Sequence, residues 1–230
     1  MNNKGYKNII FDLDGTLTDS AEGVTRAAQY ALKQLGIETN LDQLKPFIGP
    51  PLQHSFKINY GFNEEEIKQV ITYFRQYYRA KGLFENKLYP GVPEMLAKLS
   101  QSGSRLYLAT SKLSSFAETI LQHFQIDHYF TSIAGANHDG SRAKKRDVLK
   151  YLLANNNSLA EGQTVMVGDH KDDISGAHDC NIDSIAVTYG YGLLEELQKA
   201  GPTGLAHSVP ELAGLLLGAK TTDLNKPSGQ

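Results

Sequence analysis

The chain has 230 residues, 40% hydrophobic and 21% charged, the balance of a globular protein with one large domain or two small ones. Its 23 basic and 25 acidic residues leave no positive surplus for nucleic acid or an anionic membrane, and no apolar run approaches the roughly 18–20 residues that span a bilayer. MNNKGYKN at the amino end lacks the apolar core of a signal peptide, and the single cysteine, Cys180, excludes an internal disulfide and fits a reducing compartment, so a cytoplasmic protein is expected.

The first predicted element is a strand over 8–12. NIIFDL is short, rich in β-formers and nearly continuously apolar, as a strand buried on both faces requires. Asp12 and Asp14 then emerge together at its carboxyl end. Two like charges in a partly desolvated place repel, and one is driven toward protonation unless a cation lies between them. The pair therefore points to a metal site or an acid/base pair. It is not an EF-hand, which needs glycine sixth and glutamate twelfth; Gly15 stands fourth from Asp12. Asp14–Gly15 can also open a short hairpin flap.

From 19 to 87 no strand is predicted. Ala21, Val24, Ala27, Ala28, Ala31, Leu32 and Leu35 form one apolar helical face, closed by Gly36. Ile67, Val70, Ile71, Phe74, Tyr77 and Tyr78 form a second, behind an acidic first turn at 64–66 that suits a helix N-terminus. FIGPPL (47–52) reads as a rigid turn between helical pieces, with Gly49 to Pro51 a candidate loop facing the site. Tyr60, Phe62 and Tyr73 read as core aromatics before they read as a platform for a base. The segment is expected to be a helical insertion.

Beyond it the chain alternates. A helix is predicted over 92–101 and ends at Gly103. Strands follow at 105–110, 129–134, 164–168 and 184–188, with helical faces at Phe116, Ile120, Leu121 and Phe124, and again over 145–154. Strands alternating with helices give a parallel, doubly wound α/β sheet, and such sheets bind ligands beyond the carboxyl ends of their strands. The last dozen residues read as a disordered tail.

Three further constellations reach that rim. LATSK puts Thr110, Ser111 and Lys112 at one strand tip, where a hydroxyl and free N–H groups at the start of a helix can cradle an anion or simply cap the helix. MVGDHKDD delivers Asp169, Asp172 and Asp173. With Asp12 and Asp14 these make a cluster too charged to bury unpaired; a hard divalent cation, Mg²⁺ among them, removes the difficulty. GSRAKKRD (140–147) opens a helix with Lys144 and Lys145, either of which can balance an arriving phosphate. There is neither a P-loop nor a dinucleotide-binding glycine motif, and the seven histidines are scattered.

DLDGT, a strand ending in TS, a lysine before a helix and GDxxxD, in that order, resemble the motifs of the haloacid dehalogenase superfamily of phosphohydrolases. The 19–87 insertion is similar to the helical cap of its phosphoglycolate-phosphatase-like branch. The resemblance implies a Rossmann-like core over 1–18 and 88–217, a cap over 19–87 and a tail over 218–230. It implies Asp12 as nucleophile, Asp14 as proton shuttle, and Thr110, Ser111 and a lysine on the phosphoryl oxygens, with Gly15 and Arg142 as further phosphate or substrate positions. Mg²⁺ would be held by Asp12, the Asp14 carbonyl, Asp169 and Asp173. The third motif departs from the commonest Lys-Pro form; its GSRxxK pattern resembles a subgroup that aligns the lysine with Lys145, leaving Lys144 as the alternative.

Asp14 argues against a dehalogenase, and Val24 and Leu52 stand where the resembling mutases carry histidine and arginine. Phosphomonoester hydrolysis is therefore expected, on a small phosphorylated metabolite, by a monomer or homodimer. Phosphoglycolate is the first substrate implied, with 5′-nucleotides and phosphotyrosine as alternatives from the GSRxxK subgroup. A protein that binds phosphate or a partner without turnover is the reading from another class. The retained reactive residues weigh against it.

Overall fold

The computed structural model describes residues 5–139, 141–160 and 163–218. The expected tail, apart from Gly218, lies outside them. In chain order the elements are β1 (Asn8–Phe11), β2 (Thr18–Asp19), α1 (Ala21–Gln34), α2 (Leu52–Tyr60), α3 (Glu64–Tyr77), β3 (Lys87–Leu88), α4 (Val92–Gln101), β4 (Arg105–Leu113) and α5 (Ser114–His123). There follow β5 (Phe130–Ala136), α6 (Lys145–Ala154), β6 (Thr164–Gly168), α7 (Lys171–Asp179), β7 (Asp183–Val187), α8 (Leu194–Lys199), β8 (Gly204–Ala206) and α9 (Val209–Leu216). Among the described residues no helix is long and apolar enough to cross a membrane.

Six strands form one parallel sheet in the order β5-β4-β1-β6-β7-β8. The continuous apolar runs have their cause in this placement. All of β1 and β6 is buried, and alternate side chains enter opposite layers. Ile9 and Phe11 pack with α4, α5 and α9, whereas Ile10 packs with Val148, Leu149 and Leu152 of α6 and Ala177 of α7. Each such side chain contributes roughly 1.5–3 kcal/mol on burial. The strand order reverses between β1 and β6, which is where doubly wound sheets open a crevice for ligands.

Two differences from the sequence reading concern the 19–87 insertion. Its ends are not strandless: β2 and β3 pair antiparallel, Thr18 with Leu88 and Asp19 with Lys87. Strands of two residues carry no alternation to detect. Within the insertion α3 follows the expected acidic turn, and Asn63 and Glu66 close a capping box there, a cap being worth about 1 kcal/mol. The helix then continues as a π-helical turn over Tyr78–Gly82. Tyr60 and Phe62 lie in an aromatic cluster with Phe47 and Phe56, and Tyr73 packs against the same core.

The other differences lie in the sheet. β4 runs on to Leu113, and α5 begins only at Ser114. Thr110, Ser111 and Lys112 therefore sit in the end of a strand and not in the first turn of a helix. β8, at one edge of the sheet, goes beyond the strands that the sequence predicts, because three residues between glycine- and proline-rich turns are too short to show a pattern.

Candidate active site

Asp12 directly follows β1 and Asp169 directly follows β6, so their carboxylates meet where the sheet order reverses. Asp173 joins them from the first turn of α7, where its Oδ2 accepts from the His170 N–H at 3.0 Å. One oxygen from each of Asp12, Asp169 and Asp173 lies within 4.8 Å of the others, and all three residues are buried. Lys145, first residue of α6, enters this cluster. Its Nζ is 2.8 Å from Asp12 Oδ1 and 2.8 Å from Asp173 Oδ1, and it donates to the Ala109 carbonyl at 2.8 Å. Lys144, its neighbour, is exposed.

Three carboxylates against one ammonium leave two negative charges uncompensated. Burial pushes the Asp169 carboxyl up to about 7, and the charges of Asp173 and Asp12 add to the shift. At Asp12 burial outweighs the opposing pull of Lys145, and its pKa also rises. Burial works against the Lys145 charge as well, but Asp12 and Asp173 together hold the ammonium above its ordinary value. Carboxyls that resist ionisation beside an ammonium mark a site short of about one divalent cation. The donors are hard oxygens, with neither thiolate nor imidazole in the cluster. That set suits Mg²⁺ in chemistry and in charge.

The protein fixes Asp169 tightly. Its oxygens accept from Thr16 Oγ1 at 3.3 Å and from the Tyr191 N–H at 2.8 Å. Gly15, with φ +81°, lies so close that a Cβ there would stand 2.1 Å from Asp169 Oδ2. Gly15 therefore makes room for Asp169, a reason separate from the phosphate-binding position expected of it. Tyr191 also reaches the start of the 19–87 insertion. Its hydroxyl donates to Asp19 Oδ1 at 2.6 Å and accepts from the Ala21 N–H at 3.1 Å.

Asp14 is held apart from this cluster. Its Oδ2 is 2.8 Å from Lys112 Nζ, and Lys112 also donates to the Tyr78 hydroxyl at 2.5 Å and sits 4.6 Å from the centre of that ring. Asp14 Oδ1 is buried with no hydrogen-bond partner among the described residues. Sequence reasoning assigned no role to Lys112 or Tyr78. A signal for Lys112 existed: β1 pairs with β4 through Phe11 and Leu108, and extending that register by three residues sets Asp14 beside Ser111, next to Lys112. Tyr78 had no such signal, since it falls on the apolar face of a helix remote in sequence.

The remaining expected residues divide. Thr110 is buried, and its Oγ1 accepts from the Lys112 N–H at 3.2 Å. Ser111 lines the cleft beside Asp14. Arg142 is not brought to the cluster; it donates to the Gly135 carbonyl at 2.8 Å and lies 3.8 Å over the Tyr151 ring. The cleft itself, about 90 Å³, lies between the 19–87 insertion and the sheet. Val24, Phe47, Phe74 and Tyr78 form its roof, and Lys112, Leu113 and Phe116 its floor.

The family described as haloacid dehalogenase-like hydrolase matches residues 9–187. A 5′-nucleotidase of Pseudomonas aeruginosa is 43% identical over 211 residues, covering 91% of this chain and 94% of that protein. The tyrosine-protein kinase PtkA of Mycobacterium tuberculosis is 40% identical, over 87% of this chain and 68% of its own. A phosphoglycolate phosphatase of Aliivibrio fischeri is 32% identical over 91% of this chain and 96% of that one. Among solved structures, a predicted phosphatase from Clostridium acetobutylicum superposes with a TM-score of 0.88 at 42% identity, covering 93% of this chain and 99% of the other.

Proposed function

Since this chain belongs to the haloacid dehalogenase-like hydrolases and is a phosphatase of that family, we propose that it hydrolyses small phosphomonoesters with Mg²⁺, through an aspartyl-phosphate on Asp12. The observation that carries this reading is the separation of the carboxylates. Asp12, Asp169 and Asp173 gather around Lys145, while Asp14 is kept apart by Lys112. Asp12, the Asp14 carbonyl, Asp169 and Asp173 would hold Mg²⁺, whose charge offsets the repulsion between an anionic nucleophile and an anionic substrate.

The protein's own groups then have distinct tasks. Asp12 Oδ1 is tied to Lys145 and accepts from the Leu13 N–H at 2.7 Å, which leaves Oδ2 to attack phosphorus. As the bond to the leaving oxygen breaks, Asp14 gives that oxygen a proton. It then takes one from the water that attacks the aspartyl-phosphate. Oδ1 suits this work, being the oxygen that Lys112 does not hold. Thr110 Oγ1 and the Ser111 N–H receive the phosphoryl oxygens, and Lys145 orients Asp12 and stabilises the transferring charge. The cap, 19–87, closes over a core of 1–18 and 88–217. A cytoplasmic monomer or homodimer fits the composition.

Phosphoglycolate and a nucleoside 5′-monophosphate are the two leading substrates. The higher identity to the nucleotidase favours the second. The test is phosphate release from both, and from phosphotyrosine, with and without Mg²⁺, beside an Asp12→Asn control. Release that needs Mg²⁺ and disappears in the control is expected. Release that survives Asp12→Asn refutes the mechanism.

A further inference from the structure

With Asp14 as the proton donor, whatever leaves must occupy the cleft that Asp14 borders, and the inference here rests on that reading. The cleft is small as it stands, about 90 Å³. Its walls are apolar and aromatic: Phe47, Ile71, Phe74 and Phe116 are all buried. Such walls reward a flat ring.

Among the described residues, one cation in this cleft has no acid to balance it. Lys112 is spent on Asp14 and Tyr78. Arg75, half-buried on α3, makes among the described residues a single hydrogen bond, from Nη1 to the His138 carbonyl at 3.2 Å, and no carboxylate lies within ion-pairing distance. A guanidinium offers five donors, so most of its capacity is unused. Burial and the neighbouring Arg79 both work against its charge, which an arriving acceptor would relieve. Arg75 stands three residues before Tyr78, about 4.5 Å back along the helix axis. Tyr78 marks the Asp14 end of the cleft, and Arg75 bridges to the core loop at His138.

We infer that Arg75 reads the leaving group, and that this group is a flat ring carrying a hydrogen-bond acceptor on the edge away from the phosphate. A nucleobase carbonyl and an acidic aryl substituent both present that chemistry. Arg75 thus becomes a specificity-determining residue, selecting among phosphomonoesters by what lies beyond the bond that breaks.

The test compares kcat/KM of the full-length enzyme, Arg75→Met and Arg75→Lys on four substrates: uridine 5′-monophosphate, 4-carboxyphenyl phosphate, phenyl phosphate and phosphoglycolate. The wild type should prefer at least one acceptor-bearing ring over phenyl phosphate and phosphoglycolate. In Arg75→Met that preference should shrink by roughly 10- to 100-fold, carried mainly by KM, as loss of a hydrogen bond to a charged group implies. Arg75→Lys should recover part of it. Because the readout is a ratio, a partly misfolded preparation does not alter it. An unchanged ratio in Arg75→Met would overturn the inference and leave Arg75 a latch on His138. Phosphoglycolate as the best wild-type substrate would overturn it too, while leaving the phosphatase reading intact. No turnover of any of the four would remove that reading and this inference together. If the inference holds, the comparison of uridylate with the carboxyphenyl ester separates a nucleobase from an aryl partner.

Discussion

Taking the protein from pH 8 to pH 5 should weaken its affinity for Mg²⁺ about 100-fold, because binding requires Asp169 ionised. Without metal that carboxyl is pushed up to about 7 by burial and by Asp173 and Asp12. At pH 8 it is already charged; at pH 5 only about one molecule in a hundred has it so. The upward shift of Asp12 acts in the same direction. Stability should move as well. A carboxyl whose folded pKa lies above its reference of 3.8 favours the fold below that reference, and the advantage is lost as pH rises through the folded value. The span corresponds to at most about 4 kcal/mol, or a melting temperature lower by roughly 10 °C in a chain of this size. Calorimetric Mg²⁺ titrations at several pH values would measure the first effect. Thermal unfolding in chelator, wild type against Asp169→Asn, would isolate the second. Mg²⁺ affinity that stays level between pH 5 and pH 8, or the same pH slope in both proteins, would refute the reasoning.

Lys145→Met should leave Asp12 and Asp173 buried without their cation and cost about 3–5 kcal/mol in metal-free protein, with Mg²⁺ recovering part of the loss in a melting assay. Gly192→Ala would bring a Cβ to 1.9 Å from the Asp169 carbonyl oxygen; displaced backbone there should weaken Mg²⁺ binding at least tenfold by titration. Tyr191→Phe keeps the N–H on Asp169 but removes the hydroxyl from Asp19 and Ala21. It should change kcat and KM together, as hinge variants do, with Mg²⁺ affinity preserved. Substitutions at Ser20 or Leu88, at the two cap connections, should act similarly, and unchanged steady-state kinetics would count against a moving cap.

The sheet was readable in the sequence because a strand buried on both faces must be apolar throughout, as NIIF and TVMVG are. Asp12, Asp14, Asp169 and Asp173 were readable because charge next to such runs has few innocent explanations. Between Lys144 and Lys145 the spacing of residues could not choose. Only the phase of α6 sends one ammonium to Asp12 and leaves the other exposed. Arg142 stacks on Tyr151, a placement that the pattern of a basic cluster does not reveal. Tyr78 and Arg75 were hidden for another reason. Their contacts with Lys112 and the His138 carbonyl span more than thirty and sixty residues of chain, which local pattern does not encode.

The 19–87 insertion leaves and rejoins the sheet domain through one ribbon, Thr18 beside Leu88 and Asp19 beside Lys87. Its two ends are therefore neighbours, and the strands that carry the aspartates do not register how long or of what shape the intervening segment is. Chemistry and choice of substrate can thus change independently. A different insert spliced at the same two residue pairs would inherit the reaction and bring its own taste in molecules, so long as it supplied a hydroxyl where Tyr78 meets Lys112.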